Sequence, residues 1–136
     1  MLPPGVAPSD WDAAKREARN WMIAAVRTPA GTITYGELAR RITALTFEPD
    51  SGVFHTLLGE ISRDEEAAAR GMLSVVVIHR GGDMRPGPGF FKLAQELGKD
   101  ARDPEAFWQA EFGRVLAAWA RMRPVRPGQP LWPNVD

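Results

Sequence analysis

The chain of 136 residues contains no cysteine. Disulfides, thiolate metal sites and a thiol nucleophile are therefore excluded. Histidine is scarce, with only His55 and His79. Lysine is scarce as well: Lys15, Lys92 and Lys99 stand among 17 basic residues, and the rest are arginine. Arginine favours bidentate contact with phosphate or carboxylate, although a GC-rich coding bias gives the same usage. Neither sign of charge prevails, since 17 acidic residues bring the formal net charge to zero. Tight non-specific binding to a polyanion usually goes with a basic excess. The balance argues against such binding but leaves room for a local basic face. No apolar run nears the roughly 18 residues of a membrane span. The first residues, MLPPGVAPSDW, lack the basic and apolar regions of a secretory signal. A cytoplasmic protein without membrane contact is expected.

Several kinds of chemistry have no motif. No Gly-x-Ser-x-Gly elbow supports a serine hydrolase. The loop RPGPGFF has glycines before a helix but not the lysine or spacing of a P-loop. His55, Glu60 and His79 form a thin set of metal ligands with no His-x-x-x-His behind them. Neither a metal nor a cofactor is expected.

What is present fits one globular domain: 44% of residues are hydrophobic and 25% charged. Residues 1–8 read as an irregular, proline-rich start, 9–123 as a single domain, and 124–136 as a proline-rich tail anchored by Leu131 and Trp132. Ser9 with Asp12 reads as the N-terminal box of a helix over 10–27, whose inner face holds Trp11, Ala14, Ala18, Trp21, Met22 and Ala25. Thr34 with Glu37 opens a second helix over 35–43, with Ile33 stapling to Leu38. A third begins at Asp50 or Ser51 and buries Val53, Phe54, Leu57, Leu58 and Ile61. Ser62 with Glu65 forms another box, so a break is expected at 62 and a restart over 63–70, closed by Gly71. Residues 72–80 read as the one clear strand, covered on both faces. Gly81-Gly82-Asp83 reads as a turn, and 84–85 as at most a short edge strand. A short helix follows from Phe90 to Leu97. Asp103-Pro104 starts the last helix, 104–122, with Trp108, Phe112, Val115, Trp119 and Met122 on one stripe.

Three helices, a strand and a turn make the order of a winged-helix module, in which the third helix enters the major groove. The expected fold class is mainly α with a small β element (α+β). It comprises a winged-helix-like three-helix core plus a short sheet, extended by two C-terminal helices. Ile33 would lie in a short strand paired with 72–80.

The runs REARNWMIAAVRTPAGTITYGELARRI, VFHTLLGEIS, SVVVIHRGGD and FFKLAQELG resemble the C-terminal winged-helix domain of the O6-alkylguanine-DNA alkyltransferases and the alkyltransferase-like proteins. The resemblance covers about residues 17–98 and is most specific over Thr34–Ala39. It implies a DNA-binding scaffold. Aligned on His79-Arg80, Ile78 stands where that family keeps its reactive cysteine, and no proline precedes it. The third helix carries no arginine before Arg63. Alkyl transfer needs a thiolate, so DNA binding without alkyl transfer is the function implied.

Three readings follow. In the first, a non-enzymatic module binds DNA through the helix over 51–61, with Arg40, Arg41, Arg63, Arg80 and Arg85 on phosphates. In the second, a protein partner or a second copy docks on the aromatic helix 104–122. In the third, a small enzyme uses His79, Asp83 and Arg85. Those three residues surround a tight turn, where Arg80, Asp83 and Arg85 form either an anion pocket or a surface ion pair.

Overall fold

The computed structural model describes residues 2–80 and 86–120. It is mainly helical, with five helices and one small sheet of two parallel strands. No helix among the described residues is long and apolar enough to cross a membrane.

Helix α1 spans Pro8–Val26. It starts on Pro8, whose fixed φ suits a first helical turn, so Ser9 lies inside the helix and the box expected at Ser9 and Asp12 does not form. Trp11, Ala14, Ala18, Met22 and Ala25 are buried, whereas Trp21 is only half-buried. Gly31 turns the chain at φ 74°, and a Cβ there would lie 3.0 Å from the Phe112 ring. Strand β1, Ile33–Thr34, leads directly into α2, Tyr35–Arg41. Thr34 caps α2 as expected, its hydroxyl accepting the Glu37 N–H at 3.1 Å. The Glu37 carboxylate turns to Arg41 instead.

Helix α3 runs unbroken over Gly52–Ala67, capped by the Ser51 hydroxyl on the Phe54 N–H. The break expected at Ser62 is absent. Ser62 is fully buried, its hydroxyl lies 2.6 Å from that of Ser74, and it accepts the Ser74 N–H at 2.9 Å. A serine committed across the core cannot also cap a helix. The left-handed residue that ends α3 is Ala69, at φ 63°, and not Gly71. Ala69 and Arg70 donate back to Glu66 and Glu65 in a Schellman closure.

The strand expected over 72–80 is mostly something else. Leu73–Val76 form a 3-10 turn, and only Val77–Ile78 form strand β2. The run is buried on every side, and an apolar run of that kind does not distinguish strand from helix. Tertiary hydrogen bonds decide it: Ser74 to Ser62, and Met72 N–H to the Glu111 carboxylate at 2.7 Å. β2 pairs in parallel with β1, Ile33 opposite Val77 and Thr34 opposite Ile78.

Helix α4 spans Pro88–Glu96 and starts two residues before Phe90, because Pro88 is preset for the first turn. Helix α5 spans Pro104–Ala120 with Asp103 capping the Ala106 N–H. Its inner face is Glu111, Val115, Ala118 and Trp119. Trp108 and Phe112, expected on that face, are half-buried and stacked 5.4 Å apart at its edge. The turn at 81–83, the strand at 84–85, Met122 and the anchors Leu131 and Trp132 lie outside the described residues. The core lies where α1, α3, α5 and the 3-10 turn meet.

Candidate functional site

Three elements present one aromatic side chain each at a single place. The Thr34 cap puts Tyr35 at the first position of α2. The Ser51 cap starts α3 so that His55 lies one turn in. β2 ends at Ile78 and delivers His79 next. The Tyr35 ring meets both histidines. His55 stacks on it at 5.1 Å with planes 3° apart. His79 lies on it at 4.9 Å, tilted by 39°. The chain's one tyrosine and its two histidines thus form a single stack.

Tyr35 is buried, and its hydroxyl accepts the Gly87 N–H at 3.0 Å. Burial pushes the phenol pKa up, the Gly87 hydrogen bond works against that, and the net direction is upward. The phenol therefore stays neutral at physiological pH. Gly87 is wedged between the rings: a Cβ there would lie 2.9 Å from His79 Nε2 and 3.8 Å from the Tyr35 hydroxyl.

On one side of the stack, α3 and α4 bound a cavity of about 430 Å³ lined by Tyr35, His55, Thr56, Gly59, Phe90 and Leu93 among others. On the other side, a depression of about 560 Å³ is lined by His79, Pro86, Gly87, Pro88, Phe91 and Lys92 among others. Ring faces suit flat groups, and charged side chains also line both hollows: Glu60, Arg63 and Glu96 the first, Lys92 the second. Among the described residues no three His, Asp or Glu side chains converge to hold a metal.

The charges around the stack are sorted by direction. The acidic residues of α3 all lie in its second half and are held by α1, α5 and neighbouring loops. Glu60 accepts from the Trp11 indole at 2.9 Å and pairs with Lys15 at 3.4 Å. Asp64 pairs with Lys15 at 2.8 Å. Glu65 holds Arg19 at 2.9 Å and Arg70 at 2.7 Å. Glu66 holds Arg114 at 2.8 Å and Lys99 at 3.1 Å. The first half, Gly52–Gly59, carries no Asp, Glu, Lys or Arg, and exposes Gly52, Val53 and Thr56.

The arginines expected on phosphates separate into groups. Arg40 and Arg80 are exposed and have no acidic partner among the described residues. Arg41 pairs with Glu37 at 3.2 Å and lies over the Trp21 ring at 4.4 Å. Arg63 pairs with Glu96 at 3.4 Å. Arg85, like Asp83, lies outside the described residues. The structure brings His55 and His79 against one ring. Tyr35 is the site residue that sequence reasoning missed. Its signal was available: it is the only tyrosine, and it directly follows the best cap in the chain.

Comparisons with models of protein families, with curated proteins and with solved structures find no match.

Proposed function

We propose that the chain is a winged-helix-like, non-enzymatic module that binds DNA without alkyl transfer. The observation that carries this reading is the sorting of charge around the Tyr35 stack. The first half of α3 is free of carboxylates, and Arg80 sits beside His79 with no acidic partner among the described residues. On this reading that half of α3 faces the groove, and Arg40 and Arg80 contact phosphates. Arg41 and Arg63 contribute less, because Glu37 and Glu96 already neutralise them. Glu48 and Asp50 lie just before α3, so the face is weakly rather than strongly cationic. Ile78 is buried at 2% exposure where the resembling family keeps a reactive cysteine, and a chain without cysteine has no thiolate to alkylate. A cytoplasmic location goes with this reading.

Docking of a protein partner or a second copy on 104–122 has less support. Val115 and Trp119 are spent on the chain's own core, and Val53 on α3 is the one exposed large hydrophobic among the described residues. An enzyme built on His79, Asp83 and Arg85 draws no support from the described geometry, where His79 is stacked on Tyr35.

Fluorescence anisotropy with a labelled duplex across a salt series tests the proposal. Two phosphate contacts give a slope of log K against log salt of about −2. Arg40→Ala and Arg80→Ala should each bring that slope about one unit nearer zero. Absence of binding at low salt, or a slope that neither substitution changes, would sink it.

A further inference from the structure

Near the end of α5, three guanidinium groups surround one indole. Arg19 lies 5.5 Å from the centre of the Trp119 ring, Arg70 5.9 Å and Arg27 6.0 Å. They come from two separate parts of the chain, two from α1 and one from the segment after α3. Among the described residues only one carboxylate answers them. Glu65 accepts from Arg19 Nε at 2.9 Å, and from Arg70 Nε and Nη2 at 2.7 and 3.0 Å. Arg27 has no acidic partner among the described residues, so the cluster keeps an excess of positive charge.

A second observation is independent of the charges. Among the described residues two buried side-chain donors have no acceptor, Trp119 Nε1, on the indole at the centre of the cluster, and Asn20 Nδ2. Trp119 is 8% exposed and Asn20 7%. A buried donor without a partner costs about 1–3 kcal/mol. The charges and the Trp119 N–H show the same deficit: among the described residues, three guanidiniums and an unpaired indole N–H meet one carboxylate at this corner. The guanidiniums remain partly exposed, with side-chain exposures of 35% for Arg19 and 31% for Arg70, so a ligand can reach them from solvent.

We infer that the Arg19–Arg27–Arg70 cluster around Trp119 is a binding site for a phosphate group. Several oxygens on one centre match several planar forks better than a single carboxylate does. The site is separate from the Tyr35 stack and does not depend on the reading given to it. Free phosphate and the phosphodiesters of a nucleic acid share this chemistry.

The full chain is melted in inorganic phosphate and in sodium chloride at matched ionic strength. Phosphate at about ten times its Kd should raise Tm by about 3–5 °C beyond chloride. Arg27→Gln should abolish the difference, while Arg16→Gln, an exposed arginine outside the cluster, should keep it. A second arm titrates an oligonucleotide without terminal phosphates. A phosphate response alone assigns the site to free phosphate. Weaker oligonucleotide binding by Arg27→Gln assigns it to a nucleic-acid backbone. If Arg27→Gln matches the unsubstituted chain in both arms, or Arg16→Gln loses as much as Arg27→Gln, the inference is overturned.

Discussion

At Ala69 the backbone takes φ 63°, where a Cβ is unfavourable. The equivalent position after α4 is Gly98, at φ 81°, closing the helix with the same pair of hydrogen bonds. Ala69 is exposed, so replacing it removes strain without emptying the core. Ala69→Gly should stabilise the protein by about 0.5–1 kcal/mol in urea denaturation; a loss of stability would contradict the geometry. Gly87 is the opposite case, because its missing side chain lets His79 approach Tyr35. Caps were legible at this scale wherever the decision was local. Thr34 and Asp103 were read correctly, and Ser51 was one of two expected starts, because the N–H each accepts lies three residues on. Ser9 and Ser62 show the same pattern of letters but are not caps. Pro8 displaced the first, and a hydroxyl twelve residues away claimed the second.

Among the elements, the 3-10 turn Leu73–Val76 depends most on its neighbours. Ser62 holds its start to α3 through two hydrogen bonds in a fully buried setting. Trp108 donates its indole N–H to Val75 O at 3.2 Å from the α5 side. Ser62→Ala leaves the Ser74 N–H without its acceptor and should cost about 1–3 kcal/mol. Urea denaturation measures that loss, and a neutral result would mean that the turn is held by packing alone. The same setting explains why this stretch was misread as a strand. MLSVVVI has the composition of a buried strand, and nothing in it records that two serines will meet.

The whole molecule is joined by carboxylates of α3 and α5. Glu65 binds α1 through Arg19 and closes onto Arg70, and Glu66 and Glu111 take Arg114 and Lys99. Burial acts to raise the Glu65 pKa, but hydrogen bonds from Arg70 and Arg19, with their charges, outweigh it and hold the carboxyl below its ordinary value. Glu66 shifts the same way: burial opposes, and Arg114 and Lys99 prevail. A carboxylate with a lowered folded pKa contributes in full above its unfolded value, about 4.3, and that contribution is lost as pH falls through the folded value. Stability from these groups should therefore be flat between pH 7 and 5 and fall below about pH 4. Glu65→Gln leaves two arginines without their carboxylate and should cost about 2–3 kcal/mol at pH 7. Its acid limb should also be shallower in chemical denaturation at several pH values. An unchanged acid limb would place the acid sensitivity elsewhere.

By itself the sequence determined where the helices lie, the caps at Thr34 and Asp103, the pairing of Ile33 with the apolar run, and the absence of thiol chemistry. The pairing rests on the order of elements, and the others on residue type and on neighbours a few positions away. Only the tertiary structure decided that Ser62 bonds across the core, that the strand shrinks to Val77–Ile78, and that α5 turns Glu111 inward. It also decided that Tyr35, His55 and His79, spread over 45 residues of sequence, meet ring on ring. A stack needs further surfaces brought against a ring, and local periodicity carries no record of which surfaces packing will bring there.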